Sequence, residues 1–222
     1  PYWDELQTKT DKPLLTKVGT LWFGDPTVQS TEGNIAEAER SMDALGVPYT
    51  KLTVQQIEEQ YHFKNLPADY TGLFQADGAS IDLLATQQTL YDCILASDFV
   101  TLREQSPVIG IAQANGQFLV TTPDGTHVGT KLVIVPGPYI NDVINLLNFS
   151  IQATYWNMAS AYFKKTDPDI QYPTWFVFQQ PVDGSGNQFY GFPEVDWNHP
   201  GYIRVAPDFV MQPLSDPNQA RF

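Results

Sequence analysis

Three β-like runs follow one another at hairpin spacing in the middle of the chain: Val108–Gln113, Gln117–Thr122 and His127–Val135. Asn115-Gly116 and Asp124-Gly125 occupy the gaps between them. These dipeptides accept the positive φ angles of tight hairpin turns, so the runs predict a three-stranded meander. A chain with a local antiparallel meander at its centre does not run a regular βαβ alternation from end to end. The last stretch, Leu132-Val133-Ile134-Val135, is uniformly apolar and predicts a strand buried on both faces. Pro136-Gly137-Pro138 ends it, and Tyr139 to Leu147 reads as a short helix.

The flanks mix helices and strands. Pro1 to Thr10 reads as a short helix stopped by Lys12-Pro13, and Leu14 to Phe23 as one or two strands bent at Gly19. Thr31 to Leu45 repeats apolar residues at Ile35, Ala38, Met42 and Leu45, with Gly46 as the stop. Val47 to Leu52 predicts a strand. Thr53 with Gln56 forms a capping-box pattern for a helix to about Tyr61. Tyr70 to Ala76 predicts a strand and Ser80 to Ala96 a third helix. After the meander, strands are expected at Ile151–Phe163, Thr174–Gln179, Gln188–Phe192 and Tyr202–Ala206, with a hairpin turn at Gly184-Ser185-Gly186-Asn187. The class is therefore α+β.

Several function classes are poor fits. Acidic residues outnumber Lys plus Arg by 25 to 12, giving a formal net charge of −13, so a cationic grip on nucleic acid or an anionic membrane is not expected. No apolar run approaches the ~20 residues of a membrane span. Cys93 is the one cysteine, which leaves no internal disulfide or Cys-rich zinc site. It lies on a helix beside Ile94 and reads as a packed thiol. His62, His127 and His199 lack metal-ligand spacing, and no dinucleotide-binding, P-loop or G-x-S-x-G pattern is present. Tyr155, Trp156, Tyr162, Trp175, Phe176 and Phe178 begin an aromatic cluster that continues through Phe189, Tyr190 and Phe192. Such a cluster is either sheet core or the lining of a cavity.

The order of short motifs carries a family resemblance. Tyr2-Trp3-Asp4-Glu5-Leu6 precedes Thr16-Lys17-Val18-Gly19-Thr20-Leu21-Trp22-Phe23-Gly24, which resembles a "G-x-L-x-F-G" strand. Leu52 to Ile57, Gly72-Leu73-Phe74 with Asp77-Gly78-Ala79-Ser80, and Lys131 to Tyr139 follow in register. Tyr190-Gly191-Phe192-Pro193 matches "Y-G-F-P". Together they resemble the sarcosine oxidase family of FAD-dependent amine oxidases, which includes N-methyltryptophan oxidase and pipecolate oxidase.

The resemblance implies a large mixed, mainly antiparallel sheet with helices on one face, plus the meander. It assigns 1–97 and 151–222 to a substrate domain and 98–150 to an FAD domain. It further implies that this is a segment of a longer, intracellular protein of the cytoplasm or peroxisome, with most FAD-binding residues elsewhere and the segment alone inactive. The substrate would be a small amine or amino acid with oxygen as acceptor. Arg204 and Asp208 align with a catalytic Lys and His of the family, and both depart from that pattern. Arg keeps the positive charge but is bulkier, whereas Asp reverses the charge preference. Tyr190, Phe176 and Phe178 are the implied substrate-binding residues. The departures leave a second expectation open, that of a non-catalytic module binding a small molecule or a protein on the aromatic face.

Overall fold

The computed structural model describes residues 2–30, 33–182, 186–209 and 212–220. The expected turn at Gly184-Ser185 and the expected helix start at Thr31 lie outside them. The elements are, in order, α1 (Tyr2–Gln7), β1 (Leu15–Lys17), β2 (Thr20–Gly24), α2 (Ile35–Leu45), β3 (Thr50–Thr53), α3 (Val54–Tyr61), β4 (Thr71–Gln75), β5 (Ala79–Ile81) and α4 (Leu83–Leu95). Then come β6 (Gly110–Ala114), β7 (Gln117–Thr122), β8 (Gly125–Gly129), α5 (Ile140–Ile144), β9 (Tyr155–Asn157), β10 (Ala161–Lys164), β11 (Thr174–Phe178), β12 (Phe189–Phe192), β13 (Tyr202–Pro207) and β14 (Gln212–Leu214). The chain divides into two compact units, Pro1–Cys93 with Met158–Val210, and Ile94–Asn157 with Met211–Phe222.

The first unit is built on a seven-stranded sheet of order β10-β13-β12-β11-β2-β4-β3. All its neighbours are antiparallel except the central pair β2–β11. The large mixed, mainly antiparallel sheet expected from the sequence is present, and its helices divide between the two faces. Leu21, Phe23 and Val177 point to one face, where Leu52 of β3 and Ile57 of α3 complete a core. Alternation sends Trp22, Phe176 and Phe178 to the other, where Ile35 of α2 and Val28 cover them. Burying each such side chain stabilises the fold by about 1.5–3 kcal/mol. At the central seam Gly24 has a φ of 138°, and a Cβ there would overlap the backbone of Phe178. Only glycine permits this close approach, and Asp25 N–H then donates to Phe178 O at 2.9 Å.

Local chemistry fixes the helix ends. The Thr53 hydroxyl accepts from Gln56 N–H while the Gln56 side chain accepts from Thr53 N–H, a complete capping box. The α2 helix is capped by Asn34, whose side chain accepts from Glu37 N–H, and stops at Gly46 in the left-handed region. The helix expected from Ser80 instead begins at Leu83. Residues 79–81 pair with β1, and Asp82 Oδ1 accepts from Ala85 N–H at 2.9 Å. Beside α2, the Tyr49 hydroxyl donates to Asp43 at 2.9 Å and Glu39 at 3.3 Å. The Asp43 hydrogen bond is the main cause that pushes its pKa from 10.0 up to about 12. The folded state favours the neutral phenol, so this contribution to stability is complete below about pH 10 and lost as pH rises to about 12. In a tyrosinate absorbance titration, Tyr49→Phe should remove one phenol ionising near pH 12.

The second unit contains the expected meander, the antiparallel sheet β6-β7-β8. Asn115 and Gly116 take φ angles of 52° and 73° in its first turn. The Asn141 side chain donates to Ile151 O and accepts from Ile151 N–H, fixing the exit from α5. Strand β14 pairs with β9. Two expectations need correction. Residues 132–135 form no strand, and Val133 and Val135 are more than 80% exposed. A uniformly apolar run is buried only where both faces find partners, and no described strand pairs with it. The run Ile151–Phe163 is also not one strand: it splits into β9 and β10, which join different sheets. Among the described residues no helix is long and apolar enough to cross a membrane.

Candidate functional site

The sheet face carrying Trp22 and Phe176 continues beyond α2 onto β12 and β13. Register carries it there: Phe176 pairs with Tyr190, Tyr190 with Ala206, and Phe192 with Arg204. Paired antiparallel residues share a face, so Tyr190, Phe192 and Arg204 point the same way as Phe176. Arg204 also pairs with Tyr162 on the edge strand β10.

Two hollows open on this face. The smaller, about 260 Å³, is lined by Trp22, Phe176, Tyr190 and Asp208 among others. The larger, about 490 Å³, is lined by Arg204, Tyr162 and Phe192, by Pro193, Val195, Trp197 and Asn198, and by residues 79–84. Phe192 borders both. The Tyr190 and Phe192 rings meet edge to face at 5.8 Å.

Arg204 is the electrostatic centre of the larger hollow. Its guanidinium carbon lies 5.4 Å from the Phe192 ring centroid, within cation–π range. Its Nε is buried and has no hydrogen-bond partner among the described residues. Among the described residues no carboxylate forms an ion pair with it. Asp82 lines the same hollow, but its Oδ1 is engaged at the start of α4. A partly desolvated donor without an acceptor favours a ligand that supplies one. Asp208 sits just past β13, where its N–H donates to Gln188 O at 2.8 Å.

The sequence-predicted residues therefore separate. Tyr190, Phe176 and Asp208 surround the smaller hollow, and Arg204 belongs to the larger one. Phe178 lines neither. It is 0% exposed and packs against Trp22 at 5.4 Å and Phe176 at 4.7 Å, under α2. It is a core side chain, because α2 closes that end of the face. Tyr162 and Phe192, members of the aromatic cluster seen in the sequence, line the hollows, whereas Trp22 and Trp197 are lining residues that sequence reasoning did not single out. The signal for Trp22 was the period-two alternation that it shares with Phe176 and Tyr190. Gly191, between Tyr190 and Phe192, points to the opposite face, and a Cβ there would overlap the Trp175 indole. The glycine of the Tyr-Gly-Phe-Pro motif thus allows Trp175 to lie over β12.

These groups match one part of the FAD implied by the sequence resemblance and not another. The open Nε of Arg204 and the aromatic walls fit a flat ring with hydrogen-bond acceptors along its edge. The pyrophosphate has no counterpart, since no glycine-rich turn leads from a strand into a helix among the described residues.

Residues 1–218 match the family model described as FAD dependent oxidoreductase. A Dictyostelium discoideum protein named as a bifunctional amine oxidase is 28% identical over 97% of this chain and 22% of its own length. N-methyl-L-tryptophan oxidase of Yersinia pestis is 23% identical over 86% of this chain and 49% of its own length. The chain thus spans half or less of the curated relatives it matches. The solved structure of NikD, described as an unusual amino acid oxidase, is 35% identical with a TM-score of 0.83. That match covers 100% of this chain and 56% of NikD. Glycine oxidase from Geobacillus kaustophilus, at 16% identity and a TM-score of 0.62 over 97% of this chain and 53% of its own, shares the fold.

Proposed function

The chain belongs to the FAD dependent oxidoreductase family, and from that premise we propose that it is the substrate-side portion of a flavoenzyme oxidising the C–N bond of a secondary amine or N-methyl amino acid. Oxygen is the proposed electron acceptor. Residues 1–97 and 151–222 form the substrate domain in this reading, and 98–150 belong with the FAD domain, most of whose cofactor contacts lie outside the 222 residues. The amine and amino acid oxidases among its relatives support the substrate class. The observation that carries the reading is the unpartnered Arg204 donor in an aromatic hollow, on the same sheet face as Tyr190 and Asp208.

Each residue has a distinct task. When bound, a flavin would supply the redox chemistry, accepting a hydride equivalent from the C–H bond beside the nitrogen as C–N becomes C=N. Arg204 keeps a fixed positive charge beside the larger hollow, where it stabilises negative charge as it develops. Its guanidinium cannot lose a proton in the working pH range, so it acts by charge and not as a base. Asp208 places a carboxylate at the smaller hollow, where it orients a cationic amine. The Tyr190 phenol offers a hydrogen-bond donor at the same place. Trp22 and Phe176 exclude water from the reacting bond.

The complete gene product provides the test. It should show the two visible absorption bands of a flavin, which bleach on anaerobic addition of N-methyl-L-tryptophan and return with oxygen, yielding peroxide. A purified protein lacking both bands would refute the redox reading and leave the aromatic hollows as a binding module.

A further inference from the structure

Strands β12 and β13 are joined by residues 193–201, and this connector supplies one wall of the larger hollow through Pro193, Val195, Trp197 and Asn198. It is held at both ends. At its base the Lys165 ammonium, with a side chain only 4% exposed, pairs with Glu194 at 3.0 Å and donates to Pro168 O at 3.0 Å. The second Glu194 oxygen accepts from Gly201 N–H, and Lys165 N–H donates to Gly201 O at 2.8 Å. The Lys165 hydrogen bond holds the Glu194 carboxyl below the usual carboxylate range. At its tip Trp197 Nε1 donates to Thr16 of β1 at 3.4 Å, and β1 pairs with β5 in the facing wall. In between, Asn198 donates to the Tyr162 hydroxyl at 3.2 Å, and the His199 ring lies 4.2 Å from the Tyr162 ring.

Neither Lys165 nor Glu194 lines the hollow. An ion pair whose cation is buried, with both carboxylate oxygens and two of the three ammonium protons engaged, fixes geometry more than it adds stability. We propose that Lys165 and Glu194 are positioning residues that hold the connector against the Arg204 hollow and so set the width of the flat, anionic ligand it admits. The proposal rests on the reading of that hollow as part of the ligand-facing side of a flavoenzyme. Without the clamp the connector is held by the Trp197–Thr16 contact and by Asn198 and His199 on Tyr162, and the slot between Trp197 and the 81–84 wall widens. The ring that fits changes, while Arg204 keeps its anchor on β13.

The experiment uses the complete flavoprotein and two probe acids, benzoate and the wider 2-naphthoate, with binding read from perturbation of the flavin spectrum. Glu194→Gln, which retains an acceptor for Gly201 N–H but loses the ion pair, should shift the naphthoate-to-benzoate affinity ratio about tenfold toward naphthoate. Lys165→Arg, which keeps the charge, should largely preserve the ratio, and Trp197→Ala should reproduce the shift by removing the wall directly. A second readout needs no ligand: acrylamide quenching of Trp197, taken as the difference from Trp197→Phe, should rise severalfold in Glu194→Gln. An unchanged ratio and unchanged quenching, with only the melting temperature lowered, would overturn the proposal and leave a merely structural ion pair. If neither acid perturbs the wild-type spectrum, the ligand reading of the hollow fails, and the quenching still decides whether the clamp holds the wall.

Discussion

Replacing Arg204 with methionine in the complete flavoprotein is expected to lower turnover of the amine by about a hundred- to a thousandfold. This is the scale of removing one preorganised electrostatic donor, about 2.7–4 kcal/mol. Methionine keeps an unbranched, uncharged stem and removes the guanidinium that lies over Phe192, so the loss reports the head group. Arg204→Lys should recover part of the rate, because it restores the cation without the planar fork and without the same stacking on Phe192. The readouts are steady-state rate, flavin content and melting temperature for the three proteins. If the methionine protein keeps its flavin and turns over at the wild-type rate, Arg204 has no part in the chemistry.

The second large effect separates Phe178 from its neighbours on the same face. Phe178→Ala should cost about 3–5 kcal/mol, since a fully buried aromatic leaves a cavity between Trp22, Phe176 and α2. The melting transition of the complete protein should fall by several degrees. Tyr190→Phe removes only a hydroxyl at the edge of the smaller hollow, so it should leave stability nearly unchanged and raise the KM for the amine. Calorimetry with steady-state kinetics would show the contrast. A Phe178→Leu protein of near-normal stability whose KM rises as much as that of Tyr190→Phe would place Phe178 at the ligand after all.

The reason these two residues looked alike in the sequence is physical. Phe176, Phe178 and Tyr190 all obey the same alternation, and alternation names a face without saying which part of it another element covers. That depends on α2, a long-range neighbour. Signals confined to a few residues were legible: the Thr53–Gln56 box, Gly46, and the Asn115-Gly116 turn each follow from local backbone chemistry. The misplaced helix start at Ser80 has a long-range cause of the same kind. Residues 79–81 become a strand only because β1 is present to pair with them. The hollows were still further from reach. Arg204 and Asp208 are four residues apart on one face, yet they border different hollows, because the connector after β12 closes around one and not the other.

The parallel pairing of β2 with β11 also governs how the molecule comes into being. One half of the seven-stranded sheet, β2-β4-β3, is made from neighbouring chain, and so is the other, β11-β12-β13-β10. They are zipped along a single seam whose partners, such as Thr20 and Thr174, stand 154 residues apart. Emerging from the ribosome, the first half must wait with Leu21 and Phe23 beside an open edge until β11 is synthesised, about ten to thirty seconds later at usual elongation rates. The entropy of closing so long a span grows only logarithmically, so the seam tolerates the intervening sequence at little thermodynamic cost. Its burden is kinetic. Nascent-chain assays should find chaperones on the first half until Phe178 has cleared the exit tunnel, and productive folding only afterwards.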